Sequence, residues 1–143
     1  MTREQIMLRY FHRAFELLIS DEPTVEIPGD VTTLRKKLIE EEFIELQEAM
    51  ENRDIVKIAD GLGDLLYVVY GTAVSYGIDM EPIFNEIHRS NMSKMWPDGK
   101  IHKNEFGKVV KPDCYSPAAL EPLIRKQQNG PCVGCGLCDG KLK

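Results

Sequence analysis

Apolar side chains recur every three to four residues over most of the first 94 positions, and the rhythm changes only after Trp96. Ile6, Tyr10, Phe11, Ala14, Phe15 and Leu18 fall on one face of a helix over 2–19, and Thr2 with Gln5 forms a capping-box start. Pro23, Pro28 and Gly29 make 20–30 a loop. A second helix follows over 32–50, with Asn52 helping to end it. Asp54 caps a third helix running to 77. Asp79 and Pro82 open a fourth, which reaches about 94. Beyond it, Pro97-Asp98-Gly99 and 104–107 are turn sequences flanking 100–103 and 108–111, which predicts two short strands in a β-hairpin. Ser116-Pro117 then begins a short helix ending near 128. The expected architecture is all-α: a four-helix bundle with a small C-terminal β-hairpin. One domain covers 1–128, and a flexible Cys-rich tail covers 129–143.

The chain has 143 residues, enough to bury a core without help from disulfides or metals. Its formal charge of −5 argues against a nucleic-acid groove, which would leave a basic footprint. The weakly charged stretch from Ile58 to Ile78 contains Asp60, Asp64 and four glycines, a poor composition for a membrane span. No secretory pattern opens the sequence, so a cytoplasmic protein is expected, in which structural disulfides are rare.

The candidate chemistry lies in carboxylates on the second and third helices. Glu42 falls near the middle of the apolar face set by Leu34, Leu38, Leu46, Ala49 and Met50; Glu45 lies near its edge, Glu41 and Glu48 at the border beyond. Glu40 points to solvent. A carboxylate on a buried face is costly unless it is paired or binds a cation. On the third helix, which runs to 77, the only charged residues after Lys57 are Asp60 and Asp64, and the remainder is apolar all round, as in a buried helix. Four residues apart, the two aspartates share a face with β-carbons about 5–6 Å from one another. Two like charges that close in a dry place repel unless a cation intervenes. Oxygen-only donors favour Mg²⁺ or Mn²⁺ over zinc, and metals would let an acidic site accept an anionic nucleotide. The plainer alternative is a solvated acidic face with each aspartate paired to a buried base.

At these residues the sequence resembles the all-α nucleoside triphosphate pyrophosphohydrolase superfamily, which includes MazG, phosphoribosyl-ATP pyrophosphohydrolase and the dimeric dUTPases. Glu41-Glu42-Phe43-Ile44-Glu45 matches its Glu-Glu-x-x-Glu motif, and Asp64 before Leu65-Leu66-Tyr67 matches the aspartate closing its Glu-x-x-Asp motif. The block from Glu86 to Lys94 resembles the following helix. The likeness spans about 32–117 and is nearest the phosphoribosyl-ATP pyrophosphohydrolase-like branch. It implies Glu42, Glu45 and Asp64 as metal ligands, with Asp60 next, and Glu41 as ligand of a second metal or general base. It also implies Asn91 and Lys94 as phosphate holders, with Arg89 and Lys111 as further candidates. One position departs: the family's acid at 61 is Gly61 here. The resemblance further implies a homodimer or dimer of dimers.

Cys132, Cys135 and Cys138 have Cys-x-x-Cys-x-x-Cys spacing, suited to zinc or an iron–sulfur cluster if Cys114, His102 or a second chain completes the set. Incidental thiols in a tail are the alternative. His12 and His88 read as structural, and His102 has no evident partner. The function expected is Mg²⁺-dependent release of pyrophosphate and a nucleoside monophosphate from a nucleotide, with no role for nucleic acid or membrane. A nucleotide- or metal-sensing module without turnover is the competing reading.

Overall fold

Three of the helices begin where a side chain satisfies orphaned first-turn amides. The computed structural model describes residues 1–130, in which five helices follow one another: α1 (Arg3–Ala14), α2 (Gly29–Glu51), α3 (Ile55–Ser75), α4 (Met80–Met92) and α5 (Glu121–Asn129). Thr2, Asp54 and Asp79 cap α1, α3 and α4 by accepting hydrogen bonds from first-turn amides. α1 stops at Ala14, five residues before the apolar rhythm does. Glu16 turns to φ 54°, its amide bonds Arg13 O, and the Leu17 amide returns to His12 O at 2.8 Å. This six-to-one closure ends a helix whatever the hydrophobic pattern beyond it. The same closure recurs at Arg53, and at Gly77 (φ 68°), where an added Cβ would meet Glu22 O at 2.1 Å.

Beyond α4 two expectations from the sequence are not met. No β-strand forms among the described residues; 100–111 reverses direction but makes a single antiparallel bridge, Lys103 to Val109. Asn104 holds the reversal, its side chain accepting from the Phe106 and Lys108 amides, while Ile101 and Phe106 stay exposed. With no apolar face to bury, two short segments do not extend into a ladder. α5 starts at Glu121 and not at 116, because 116–119 is used to dock onto α4. The Ser116 amide donates to Ser93 Oγ at 2.9 Å, and the Ala119 amide to Glu86 Oε1 at 2.8 Å. The tail expectation lies outside the described residues.

The packed centre is α2 against α3, with α1 on α3; α4 and α5 have no comparable contact with them. A four-helix bundle within one chain is therefore not what forms. α2 and α3 run antiparallel through the short turn at 52–54, and they approach closest where Gly61 faces Leu46. A Cβ on Gly61 would lie 3.2 Å from both Leu46 Cα and Cβ, which explains a glycine there. Leu8, Leu46, Ala49, Val68, Ala73, Val74 and Ile83 are buried. The all-round burial expected of α3 is not reached either: Leu62 and Leu66 are 45% and 59% exposed. The apolar face of α3 exceeds what the described residues cover.

A buried polar knot joins the first three helices. Arg35 on α2 donates from Nε to Ser75 Oγ (3.1 Å) and from Nη2 to His12 Nε2 (3.2 Å). A guanidinium can only donate, so Nε2 is the acceptor and Nδ1 carries the proton given to Leu18 O at 2.8 Å. A Cβ on Gly71 would press Arg35 Nη1 at 3.1 Å and His12 Nε2 at 3.2 Å, so glycine is what leaves the knot its space. His12 is structural, as the sequence suggested. Burial lowers its pKa below the ordinary 6.5, against the pull of the Leu18 bond and with help from the Arg35 and Arg9 charges. A histidine harder to protonate folded than unfolded contributes stability above about pH 6.5 that is lost as the pH falls through its folded value. Urea denaturation at pH 8 and pH 5.5 is expected to show this loss, and His12→Gln to flatten it. An unchanged slope in the variant would remove His12 as the cause.

Candidate active site

The α2–α3 hairpin sets the carboxylates of both motifs against one another. Because Gly61 seats against Leu46, the residues one turn away on each helix, Glu42 and Asp64, come to the same level of the seam. Glu42 is half-buried; Glu41, Glu45, Asp60 and Asp64 are exposed. The Glu42 carboxyl is pushed above its ordinary pKa, first by burial and then by the negative charges of Asp64, Glu45, Glu41 and Asp60. Four acids thus crowd a fifth, and no cation of the protein makes an ion pair with any of them among the described residues. This arrangement differs from the greasy interior that periodicity predicted. The acids line an open seam whose one sheltered member is Glu42.

Beside the seam is a cleft of about 340 Å³ lined by Glu45, Glu48, Ala49, Asn52, Lys57, Asp60 and Gly61. Glu48 and Lys57 enter the picture here. Lys57 lies one turn before Asp60 and Gly61, a spacing that could have flagged it. Among the described residues no three carboxylates, histidines or cysteines converge closely enough to enclose an ion alone. An open, oxygen-only, mutually repelling donor set is compatible with Mg²⁺, which keeps several waters and takes substrate phosphates as its remaining ligands. It is a poor match for a closed zinc site.

The four residues expected to hold phosphates gather elsewhere, around Tyr115. Lys111 Nζ sits 4.4 Å above the Tyr115 ring centre, and the Tyr115 hydroxyl shares a 3.1 Å hydrogen bond with Ser90 Oγ. That bond, with the charges of Lys111, Lys94 and Arg89, lowers the Tyr115 pKa despite its partial desolvation. Lys94 donates to Asn91 Oδ1 at 2.6 Å. Arg89 is committed: it grips both Glu86 oxygens at 2.8 Å, Ser116 Oγ and Pro117 O. The Arg89 bond and the Ala119 amide hold Glu86 at a pKa of about 2. Tyr115 had no signal in the sequence, because only the return of 112–116 across α4 brings it there. His102, unassigned from sequence, stacks on Trp96 with ring centres 4.2 Å apart and meets Asp98 at 3.1 Å.

An all-α scaffold carrying opposed carboxylates on two paired helices places the molecule in the class of MazG-like pyrophosphohydrolases. The family model for phosphoribosyl-ATP pyrophosphohydrolase matches residues 8–91, more than half of the chain, and the chain belongs to that family. The matched span takes in the second half of α1, all of α2 and α3 and nearly all of α4, with both acidic motifs. An uncharacterised protein of Acanthamoeba polyphaga mimivirus is 36% identical over 76 residues, covering 51% of this chain and 30% of that protein. The chain thus spans under a third of that relative's length. No helix of the described residues is long and apolar enough to cross a membrane.

Proposed function

We propose that the chain is a Mg²⁺-dependent nucleotide pyrophosphohydrolase that splits a nucleoside triphosphate or related nucleotide into pyrophosphate and a monophosphate. The observation that carries this is the crowding of Glu41, Glu45, Asp60 and Asp64 around Glu42, with no basic residue paired to them among the described residues. A divalent cation bound among them would relieve the repulsion that bears on Glu42. In this reading Glu42, Glu45 and Asp64 hold the metal, with Asp60 directly or through water. Glu41, at the outer border, orients and deprotonates the attacking water. When bound, divalent cations neutralise the phosphate oxygens and lower the pKa of a coordinated water. Asn91, Lys94 and Lys111 steady the phosphates. Pyrophosphate release is to be measured over a panel of canonical, deoxyuridine and phosphoribosyl nucleotides with Mg²⁺ and with chelator. Turnover of at least one member that stops with chelator is expected; no turnover of any would overturn the reading.

A second reading, a sensor that binds nucleotide without turnover, is favoured by Gly61. The contact with the Leu46 backbone leaves no room for an acid at that position unless the helices part. Binding without product in the same panel would select it.

The apolar surface left open on α3 by Leu62 and Leu66 supports assembly of a second copy against this face. Leu66→Glu is expected to convert a dimer to monomer in sedimentation. A wild-type protein that is monomeric at every concentration would reject the assembly.

A further inference from the structure

The reversal over 96–111 is firmly braced, yet it keeps its large apolar side chains outside. The Trp96 indole donates to Val110 O at 3.1 Å, and the Val110 amide to His102 O at 2.8 Å. Gly99 and Gly107 supply the positive φ of its turns, 71° and 74°. Phe106 is nevertheless 85% exposed and Ile101 72%. Lys100, Lys103 and Lys108 share the same reversal, are exposed, and pair with no carboxylate among the described residues. α2 carries a surface of the opposite sign. From Glu40 to Glu51 there are six acidic residues and no basic one. Leu46 and Ala49 are buried toward α3, so Glu40, Ile44, Gln47 and Glu51, at helical spacing on the other side, face outward. Phe43 and Met50 flank them, each about half exposed. No ion pair joins these acids to the arm's lysines within one chain. A run of like charge alone is ordinarily just solvated. Here each run also displays large apolar side chains, and the two runs match in character with the sign reversed.

We propose that the arm over 100–108 docks on the outward face of α2 in a second copy of the chain. Ile101 and Phe106 meet Phe43, Ile44 and Met50, while Lys100, Lys103 and Lys108 meet Glu40 and Glu51. This contact is distinct from the α3 face described above, and it does not rest on the hydrolase reading. Two copies related by a twofold axis exchange arms, so the contact is made twice and closes on itself. The bracing has a purpose in this arrangement. An arm already ordered loses little further conformational freedom when it docks. The opposed charges set which face is chosen and in what register, and they make the association sensitive to salt.

A charge swap followed by sedimentation equilibrium of the full chain tests this. One chain carries Lys103→Glu with Lys108→Glu, a second Glu40→Lys with Glu51→Lys, and a third all four changes. Each double reversal is expected to raise the dissociation constant at least tenfold in low salt, and the fourfold chain to regain most of the lost affinity. An equimolar mixture of the two double-reversal chains should likewise recover part of it. Phe106→Ser, which leaves the charges alone, should weaken association about tenfold. All of these positions are exposed, and unchanged helicity in circular dichroism checks that the fold is kept. Reversals that associate as the wild type does, or a fourfold chain no better than the doubles, would overturn the arm contact. If Leu66→Glu dissociates the copies while the charge variants do not, the α3 face stands and the arm contact falls. Rescue by the fourfold chain with no effect of Leu66→Glu gives the converse. A wild type monomeric at every concentration would overturn both.

Discussion

Asp64→Asn is expected to lower nucleotide hydrolysis by roughly 10²–10³-fold while leaving the unliganded protein as stable as before, or more so. The two halves of that expectation have one cause. Asp64 contributes the largest of the repulsions that push up the Glu42 pKa, so neutralising it relieves strain between α2 and α3. The same carboxylate is what a cation needs. Glu45→Gln should behave likewise, with a smaller gain in stability because its repulsion ranks behind that of Asp64. Initial rates with Mg²⁺, measured beside thermal melts without it, report both quantities. Full activity in either variant would end the assignment. So would a collapse of the fold, because it would make these acids structural.

The largest effect on stability is expected at Arg35. Truncation to alanine leaves His12 Nε2 and Ser75 Oγ without their buried donor and opens a cavity beneath Gly71, a combination worth about 3 kcal/mol or more. Arg35→Met separates the contributions. It refills much of the volume and removes a desolvated charge that no carboxylate answers among the described residues, so it should cost less than alanine. Urea denaturation of both variants checks the order. If alanine costs under about 1 kcal/mol, the knot does not hold α1 to the hairpin.

Much of the fold was legible in the sequence because it rests on local rules. Thr2, Asp54 and Asp79 are capping residues placed just before apolar rhythms, and each caps a helix. The paired motifs were legible for the same reason: helical spacing puts Glu42 on the face that meets α3, and Asp64 on the face that meets α2. What failed depended on contacts distant in sequence. The chain reversal near Asn104 has hairpin composition but no partner surface to stabilise strands. The residues from Ser116 are consumed in docking to α4 before they can begin a helix. The end of α1 was hidden because Leu17, Leu18 and Ile19 continue its rhythm as a packed, non-helical segment. The basic cluster at Tyr115 was half legible: Asn91 and Lys94 came from the motif, whereas Tyr115 and Ser90 became partners only through the fold. Gly61, a departure from the family pattern in one dimension, becomes a packing requirement in three.

Manganese uptake followed by electron paramagnetic resonance tests the central claim most directly. Titrated with Mn²⁺ in a buffer free of phosphates and other chelators, the wild-type chain should remove the free-ion signal stoichiometrically, and a chain carrying both Glu42→Gln and Asp64→Asn should leave it nearly intact. Equal uptake by the two would contradict the account, for it would mean that the ions sit elsewhere than between α2 and α3.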